Sequence, residues 1–304
     1  MKIVFMRAVV FVGLALPLHA APLTESTFTE VIKEVNIVAD ATKSATPARV
    51  NDLFKAPDLV RTGPDSRAEM TAPDQTVTRV GANTVFSFDT AGRNLRLEQG
   101  SVLFHPPKGL GGGTIKSGGS SAAVLGTTLI VSATADGGFK VIMLEGAGKV
   151  TLPNGESVTL KAGQMVFVLP GGTSLSPVLD INLAKLVAGS QLINGFVHEL
   201  SSWPLIQAAI DAQNSALASG NAVDTGVPAD NFVNPPAPDN GLDALDTGSY
   251  QVAAHPPLTQ EQFNQFINVN PTQQTGDVPT LGSPGGRGFV PINFVPALNG
   301  INVQ

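Results

Sequence analysis

Residues 127–160 read TTLIVSATADGGFKVIMLEGAGKVTLPNGESVTL, and they typify the longer stretch from Thr76 to Leu169. Short apolar runs alternate there with turn residues such as Gly, Asn and Asp. Asp136-Gly137-Gly138 and Pro153-Asn154-Gly155 each separate two such runs, and Asn-Gly supplies the positive φ angles that a two-residue hairpin turn requires. The stretch therefore predicts short β strands joined by tight turns.

The same pattern extends toward the N-terminus. Ser66–Met70 and Thr76–Val80 are expected to pair antiparallel, because the intervening Ala-Pro-Asp favours a turn. Phe28–Val38 reads as one strand, with a short helix as the competing interpretation. Gly100 is expected to separate two further strands. The strands predicted in this region are Thr84–Phe88, Leu95–Leu97 and Val102–Phe104.

Several predicted strands are apolar on both faces, as in Val102-Leu103-Phe104. Such a strand is typical of a sheet that is covered on both sides. Strands at about ten-residue spacing predict a single all-β domain over residues 28–170. The pattern leaves open whether this domain is a sandwich, a barrel or a solenoid.

A helical period replaces the strand pattern after Pro177. Apolar residues recur at helical spacing over residues 180–219, where Asp180 is the expected N-cap and Pro204 suits the first turn of a second helix. This segment predicts a helical hairpin whose apolar face packs on the β domain. Residues 221–304 instead hold 11 of the 23 prolines and no lysine, so we predict a largely disordered tail.

The first 21 residues have the three-part layout of a secretory signal peptide. Lys2 and Arg7 precede an apolar run, which ends in the small residues Ala20 and Ala21. The run is too short for the roughly 20 residues of a spanning helix. We therefore expect a periplasmic or secreted protein with no permanent transmembrane segment, and without cysteine its fold must rest on a hydrophobic core.

Charge is divided unevenly along the chain. Residues 22–185 hold 15 basic and 15 acidic side chains, whereas residues 186–304 hold nine acids against Arg287 alone. No basic stripe is present that could neutralise phosphates, so nucleic acid is not an expected partner.

The motifs of common catalytic and cofactor sites do not match. Gly146-Ala147-Gly148-Lys149 lacks the P-loop spacing, and the loop Gly109–Gly119 lacks the strand-then-helix setting of a phosphate cradle. His105, His198 and His255 share no ligand spacing, and His105 is expected at the surface or half-buried. The Asp239, Asp243, Asp246 run lacks a calcium-loop pattern. We predict no catalytic, cofactor-binding or metal-binding residues, no cofactor, and a protein that is not an enzyme.

Charged residues near strand ends could in principle form a glycosidase pair. We expect them instead to pair with one another or with turn backbone, because a charge in an apolar sheet needs a partner. These residues are Glu69, Asp74, Glu98, Glu145, Arg61, Arg67 and Arg79.

Six segments, in order, resemble the FecR-like domain family over roughly residues 30–169. They are Val60–Gly63 with Ser66–Glu69, Arg79–Gly81 with Asn83-Thr84, Leu97–Phe104, Gly126-Thr127, Val141–Gly146 and Val158–Gln164. The resemblance implies an all-β periplasmic module. The best-known members are single-pass inner-membrane regulators that relay the state of an outer-membrane transporter to a sigma factor.

This chain departs from those regulators. We expect a signal peptide where they carry a cytoplasmic anti-sigma segment and a transmembrane helix, and a helical pair where they carry a small α/β module. Leu125 stands where they often have arginine. We therefore expect a stand-alone exported relative that acts as an interaction or sensory module in the cell envelope, with an unidentified protein partner. The alternative is an envelope carbohydrate-binding or carbohydrate-processing protein.

Overall fold

The computed structural model describes residues 21–169 and 171–220, together with the backbone of residues 223–224 and 292–293. In the first two ranges the chain forms seventeen strands: β1 (Glu25–Ile32), β2 (Val35–Val38), β3 (Ala45–Pro47), β4 (Leu53–Lys55), β5 (Leu59–Thr62), β6 (Arg67–Thr71), β7 (Val77–Val80), β8 (Val85–Phe88), β9 (Asn94–His105), β10 (Gly113–Ser117), β11 (Ser120–Val124), β12 (Thr128–Ala133), β13 (Phe139–Glu145), β14 (Ala147–Thr151), β15 (Ser157–Lys161), β16 (Gln164–Val168) and β17 (Leu179–Asp180). Three helices follow: α1 (Leu183–Gly189), α2 (Gln191–Asn194) and α3 (Trp203–Ala218). Two short strands, β18 (Val223–Asp224) and β19 (Ile292–Asn293), pair with each other.

The seventeen strands form two sheets that share β9. Sheet A has the order β4-β1-β6-β7-β9-β12-β13-β16-β17. Sheet B has the order β3-β2-β5-β8-β9-β10-β11-β14-β15. All pairings are antiparallel except that of β9 with β10. The predicted all-β class is confirmed, and of the three architectures left open the chain adopts a sandwich, with strands added to each sheet largely in chain order.

The long strand β9 passes from sheet B into sheet A at Gly100. Its first half pairs with β8 and β10, and its second half pairs with β7 and β12. Gly100 has φ +95°, and a Cβ there would lie 2.4 Å from the Cα of Thr84. The prediction that Gly100 ends one strand and starts another was wrong, because a glycine at this angle bends the strand without ending its pairing.

The segment predicted as one strand from Phe28 to Val38 is two strands. β1 belongs to sheet A and β2 to sheet B, and Lys33, with φ 59°, lies in the turn between them. The pairing of β6 with β7, by contrast, is antiparallel as predicted. The two predicted hairpin turns also join paired strands, β12 with β13 and β14 with β15.

The inner faces of the two sheets pack together in one core that contains a cluster of four phenylalanine rings. The Phe54 ring centroid lies 6.4 Å from that of Phe28, 6.0 Å from that of Phe86 and 5.3 Å from that of Phe88. Phe86 and Phe88 meet edge to face at 5.1 Å, the geometry that favours aromatic pairs. Strands from both sheets contribute to this cluster, so it ties the sandwich together.

The helices cover the outer face of sheet A and form a third layer, which we call the helical cap (residues 181–218). Leu103, Ile142 and Phe167 of the sheet share a second apolar cluster with Leu186 and Ile206 of the cap. The predicted helical segment is confirmed, although it contains three helices. The N-cap of α1 is Asn182, whose side chain accepts from the Lys185 amide at 3.0 Å. Asp180 was the wrong choice, because it is used in β17 for pairing with Gln164.

Two predicted segments lie outside the described residues. These are the signal peptide over residues 1–21, of which only Ala21 is described, and the tail over residues 221–304, apart from the backbone of β18 and β19. Within the described ranges every helix is too short or too polar to cross a lipid bilayer.

Candidate functional site

Arg79 of β7 projects from the outer face of sheet A into the helical cap and is fully buried. One Nη donates to the carbonyls of Leu192 and Ile193, at 3.1 and 2.9 Å, and the other donates to the carbonyl of His198. These carbonyls lie at the end of α2 and in the loop after it, where a helix leaves its last acceptors unpaired. One sheet side chain therefore satisfies the backbone that would otherwise be orphaned at the α2 terminus.

Glu69 of β6 is the counter-charge of Arg79. The two residues are direct cross-strand neighbours, and the Arg79 Nε donates to a Glu69 carboxylate oxygen at 2.8 Å. The other Glu69 oxygen accepts from the Thr29 hydroxyl at 2.8 Å. Burial lowers the pKa of Arg79, and the charge and hydrogen bond of Glu69 oppose that shift. We call this pair, with the carbonyls it holds, the cap clamp.

The loop after α2 adds two contacts around the cap clamp. The Phe196 ring centroid lies 4.5 Å from the Arg79 guanidinium carbon, within cation–π range. The Val197 amide donates to the Glu30 carboxylate of β1 at 2.9 Å. Within the cap, the Gln213 side-chain amide of α3 donates to the Ile181 carbonyl and accepts from the Leu183 amide, at 2.7 and 2.8 Å. These bonds join α3 to the start of α1, whereas the bonds to Arg79 and Glu30 fix the end of α2 and the loop after it to the sheet.

No described helix or strand covers the outer face of sheet B. This face carries an open groove of about 660 Å³, which we call the outer groove. Its floor follows one row of laterally paired residues across five strands: Asn94, Thr114, Ala123, Lys149 and Thr159. Neighbouring strands lie about 4.8 Å apart, so the row is roughly 19 Å long. Small side chains in this row and at Gly113, Ala147 and Gly148 keep the floor low.

The outer groove combines an exposed apolar group on its rim with a positive charge on its floor. Leu125 is the exposed apolar group, with 80% of its surface accessible. Lys149 is exposed and has no carboxylate partner among the described residues. Arg93, at one end, is held by Asp74 at 2.6 Å and donates to the Gly112 carbonyl at 2.6 Å. None of the described residues that line the groove is acidic or aromatic.

A buried polar row lies at one end of the outer face of sheet A. His105 Nδ1 is 3.0 Å from the Thr128 hydroxyl, which donates to a Glu145 carboxylate oxygen at 3.0 Å. The hydroxyl has one proton, so this geometry places a proton on His105 Nδ1. Burial, with Lys108 nearby, lowers the pKa of His105, and burial raises the pKa of Glu145 against its hydrogen bonds to Thr128. His105 is 7% exposed, so its predicted surface or half-buried position was wrong.

Residues 58–149, which run from just before β5 into β14, match the family described as FecR protein. We call this matched stretch the FecR domain. The predicted resemblance is therefore confirmed, and the strands on either side of the FecR domain, β1–β4 and β15–β17, belong to the same two sheets.

The solved structures that are similar to this chain include two crystal structures of candidate anti-sigma factors from Parabacteroides distasonis. They share 16% and 14% sequence identity with this chain, with TM-scores of 0.36 and 0.35. Each alignment covers 56% of this chain and 68% of the other. Comparison with curated proteins found no match.

The FecR domain brings some of the charged candidate residues together and leaves others apart. Glu69 and Arg79 pair with each other as predicted. Asp74 pairs with Arg93 and accepts from the Thr76 amide. Burial acts to raise the pKa of Asp74, but the bonds from Thr76 and Arg93 outweigh it and lower the pKa.

The remaining candidates do not converge. Glu98 and Arg61 are exposed, Arg67 lies beside Gly195 of the cap, and Glu145 joins the buried polar row. Among the described residues no three His, Asp or Glu side chains are placed to hold a metal ion. His19, His255 and the Asp239, Asp243, Asp246 run lie outside the described residues.

Sequence reasoning missed the cap clamp and the outer groove. The sequence placed Arg79 among the charged residues near strand ends that were expected to pair. Its bonds to carbonyls 113 to 119 residues further along the chain have no local signal. The small residues on the groove floor come from five different strands. They form a row only when the register of those strands is known.

Proposed function

We propose that this FecR-domain protein is an exported, non-enzymatic interaction or sensory module of the cell envelope, and that it binds a protein partner through the outer face of sheet B. One observation carries the choice of surface. Of the four sheet faces, two pack together in the core and the third lies under the helical cap. The outer face of sheet B is the broad sheet surface that remains, and it carries the outer groove.

The character of this face suits protein binding. Leu125 is an apolar side chain that is 80% exposed in the same groove as Lys149, and apolar surface rimmed by polar residues is a feature of interaction sites. The rigid floor of paired strands would present Leu125 and Lys149 in a fixed geometry, which lowers the ordering cost of binding. The cap clamp supports this role by keeping the other sheet closed.

Carbohydrate binding is less favoured by the same geometry. Sugar-binding faces use aromatic rings as platforms, and glycosidases need two carboxylates across a cleft. The described residues lining the outer groove supply neither. The partner is therefore proposed to be a polypeptide.

Pull-down from envelope extracts with the full chain tests the surface. Leu125→Asp combined with Lys149→Glu should remove the captured partner. Leu53→Asp, which alters another exposed leucine at the edge strand β4, is the matched control and should retain it. If the double variant captures the same proteins as the wild type, the binding surface lies elsewhere.

Export is tested by fractionation and by the mass of the mature protein. We expect a periplasmic or secreted chain that lacks residues 1–21, and deletion of those residues should leave the protein in the cytoplasm. Recovery of an uncleaved chain from the cytoplasm would contradict the export proposal.

A chain ending at Gly220 tests whether residues 221–304 take part in partner binding. If this shorter chain captures the same set of partners as the full chain, residues 221–304 are not needed for binding.

A further inference from the structure

We infer that the outer groove is a docking site for a segment of this chain itself, residues 261–269, in the absence of a partner. This segment reads EQFNQFINV. The inference uses the surface assigned above but predicts an intramolecular contact that exists in the purified protein, so either proposal can fail without the other.

The length of the groove fits this segment. The paired row on its floor crosses five strands, so it is roughly 19 Å long at about 4.8 Å per strand. Seven extended residues, from Phe263 to Val269, cover about 20 Å at roughly 3.3 Å per residue. An extended segment laid along the row would reach from the β9 end to the β15 end.

The chemistry of the groove is complementary to the segment. Leu125 is an exposed apolar group on the rim, and the segment offers Phe263, Phe266 and Ile267 to cover it. Lys149 stands on the floor without a described carboxylate partner, and Glu261 precedes the first phenylalanine by two residues. The lining residues contribute positive charge and no acid, whereas residues 221–304 hold seven acids and one arginine.

The second apolar segment beyond Gly220, Phe289–Pro296, is a poorer fit. Its nearest charge is Arg287, which Lys149 would repel, and its prolines remove backbone donors. Ile292 and Asn293 of that segment already pair with β18. The charge and the pairing therefore both favour residues 261–269.

The connecting chain has a suitable reach. Forty residues separate Gly220, just after α3, from Glu261. A flexible linker of that length has an end-to-end distance of about 35 Å, from roughly 5–6 Å × √n. The cap, sheet A and sheet B are three layers spaced by about 10 Å, so the path from the cap around to the outer face of sheet B is of similar length. Effective concentration is greatest when linker length matches the span.

Photocrosslinking in the full-length chain tests the contact directly. A benzophenone amino acid at position 125, which is exposed and so tolerates the change, is irradiated in the purified protein and the crosslinked peptides are identified by mass spectrometry. We expect crosslinks mainly to residues 261–269. The same probe at Leu53, exposed at the β4 edge, is the matched control and should give none there.

Isotope mixing and a charge swap make the result decisive. In a mixture of ¹⁴N and ¹⁵N protein the crosslinks should be within one chain. Lys149→Glu should lower their yield about fivefold, because reversing an exposed charge turns an attraction into a repulsion. Adding Glu261→Lys to that variant should restore the yield. Crosslinks between two copies, crosslinks only to other segments, or no crosslinks to residues 221–304 would each overturn the inference.

Discussion

The outer faces of sheets A and B are built by the same alternation of side chains, and they differ in what those side chains are. Sheet A presents Leu103, Ile142 and Phe167, and the helical cap covers them. Sheet B presents residues such as Thr114, Lys149 and Thr159, with no described element over them. The chain has therefore assigned one face to its own packing and kept the other polar enough to remain in water.

The polar groups of the two faces also differ in purpose. On sheet A the Arg79–Glu69 pair is buried, and taking both charges out of water costs about as much as their attraction returns. The pair's useful effect is to give the cap one position, because only there do three backbone carbonyls meet the guanidinium. On sheet B the Lys149 charge is exposed and contributes little to stability.

The inner faces of the two sheets form one common core. Phe86→Asp should therefore unfold the whole sandwich, because a buried unpaired charge and the loss of a ring in the four-phenylalanine cluster together cost several kcal/mol against a total stability of about 5–15 kcal/mol. Circular dichroism melting measures this. Phe86→Leu is the control and should stay folded. An unchanged melting temperature for the Asp variant would mean that the two sheets do not share this core.

The next largest effect is expected at the cap clamp. Arg79→Met should lower the free energy of unfolding by about 3–5 kcal/mol, because it leaves Glu69 buried without its counter-charge. Urea titration measures this loss. The double variant Arg79→Met with Glu69→Leu removes both charges and should recover much of it. A loss below about 1 kcal/mol in the single variant would mean that water reaches Glu69. The helical cap would then not seal the outer face of sheet A.

Much of the strand and turn structure of the two sheets could be predicted from the sequence. Leu103 between Val102 and Phe104 predicted a strand covered on both sides, and sheet A is such a sheet around that residue. The hairpin turns at Gly137 and Gly155 were equally clear, because turn chemistry is local. The family resemblance also rested on local segments, and residues 58–149 match that family.

The sequence predictions that were wrong share one physical cause. Each depended on contacts with residues that are distant in the sequence. Gly100 has the same signature whether it ends a strand or bends one, and only the neighbouring Thr84 backbone decides. The burial of His105 was missed because its partners, Thr128 and Glu145, come from strands that the sequence does not align with it. The outer groove likewise depends on the register of five strands.

The buried polar row predicts a moderate pH effect that is specific to sheet A. The pKa of His105 is lowered in the folded state, so the unfolded chain takes up its proton first and stability falls as the pH drops below about 6.5. His105→Asn, which keeps a polar atom near Thr128, should reduce that fall between pH 7 and pH 5. One proton contributes at most about 1.4 kcal/mol per pH unit.

Glu145 provides the opposite sign and serves as the control. Its pKa is raised in the folded state, so its contribution is present at low pH and is lost as the pH rises through the folded value. Glu145→Gln should therefore be more stabilising, relative to wild type, at pH 7 than at pH 4. Urea midpoints across this range measure both variants. Parallel pH profiles for the wild type and both variants would contradict the buried placement of the row.

The smallest effect on stability is expected for an aspartate at Leu125 on sheet B. The same change at Leu103, on the outer face of sheet A, provides the comparison. Leu125→Asp on sheet B should change the free energy of unfolding by no more than about 0.5 kcal/mol, because the described fold leaves the side chain 80% exposed and a docked segment can leave it to keep the new charge in water. Leu103→Asp on sheet A places the same carboxylate under the helical cap, where the leucine is fully buried, and should cost several kcal/mol. Urea unfolding of the two variants compares identical chemistry on opposite sides of the molecule. Equal losses would mean that some part of the chain covers Leu125 strongly enough to contribute to folding, and near-zero losses at both would mean that the cap is not closed over sheet A.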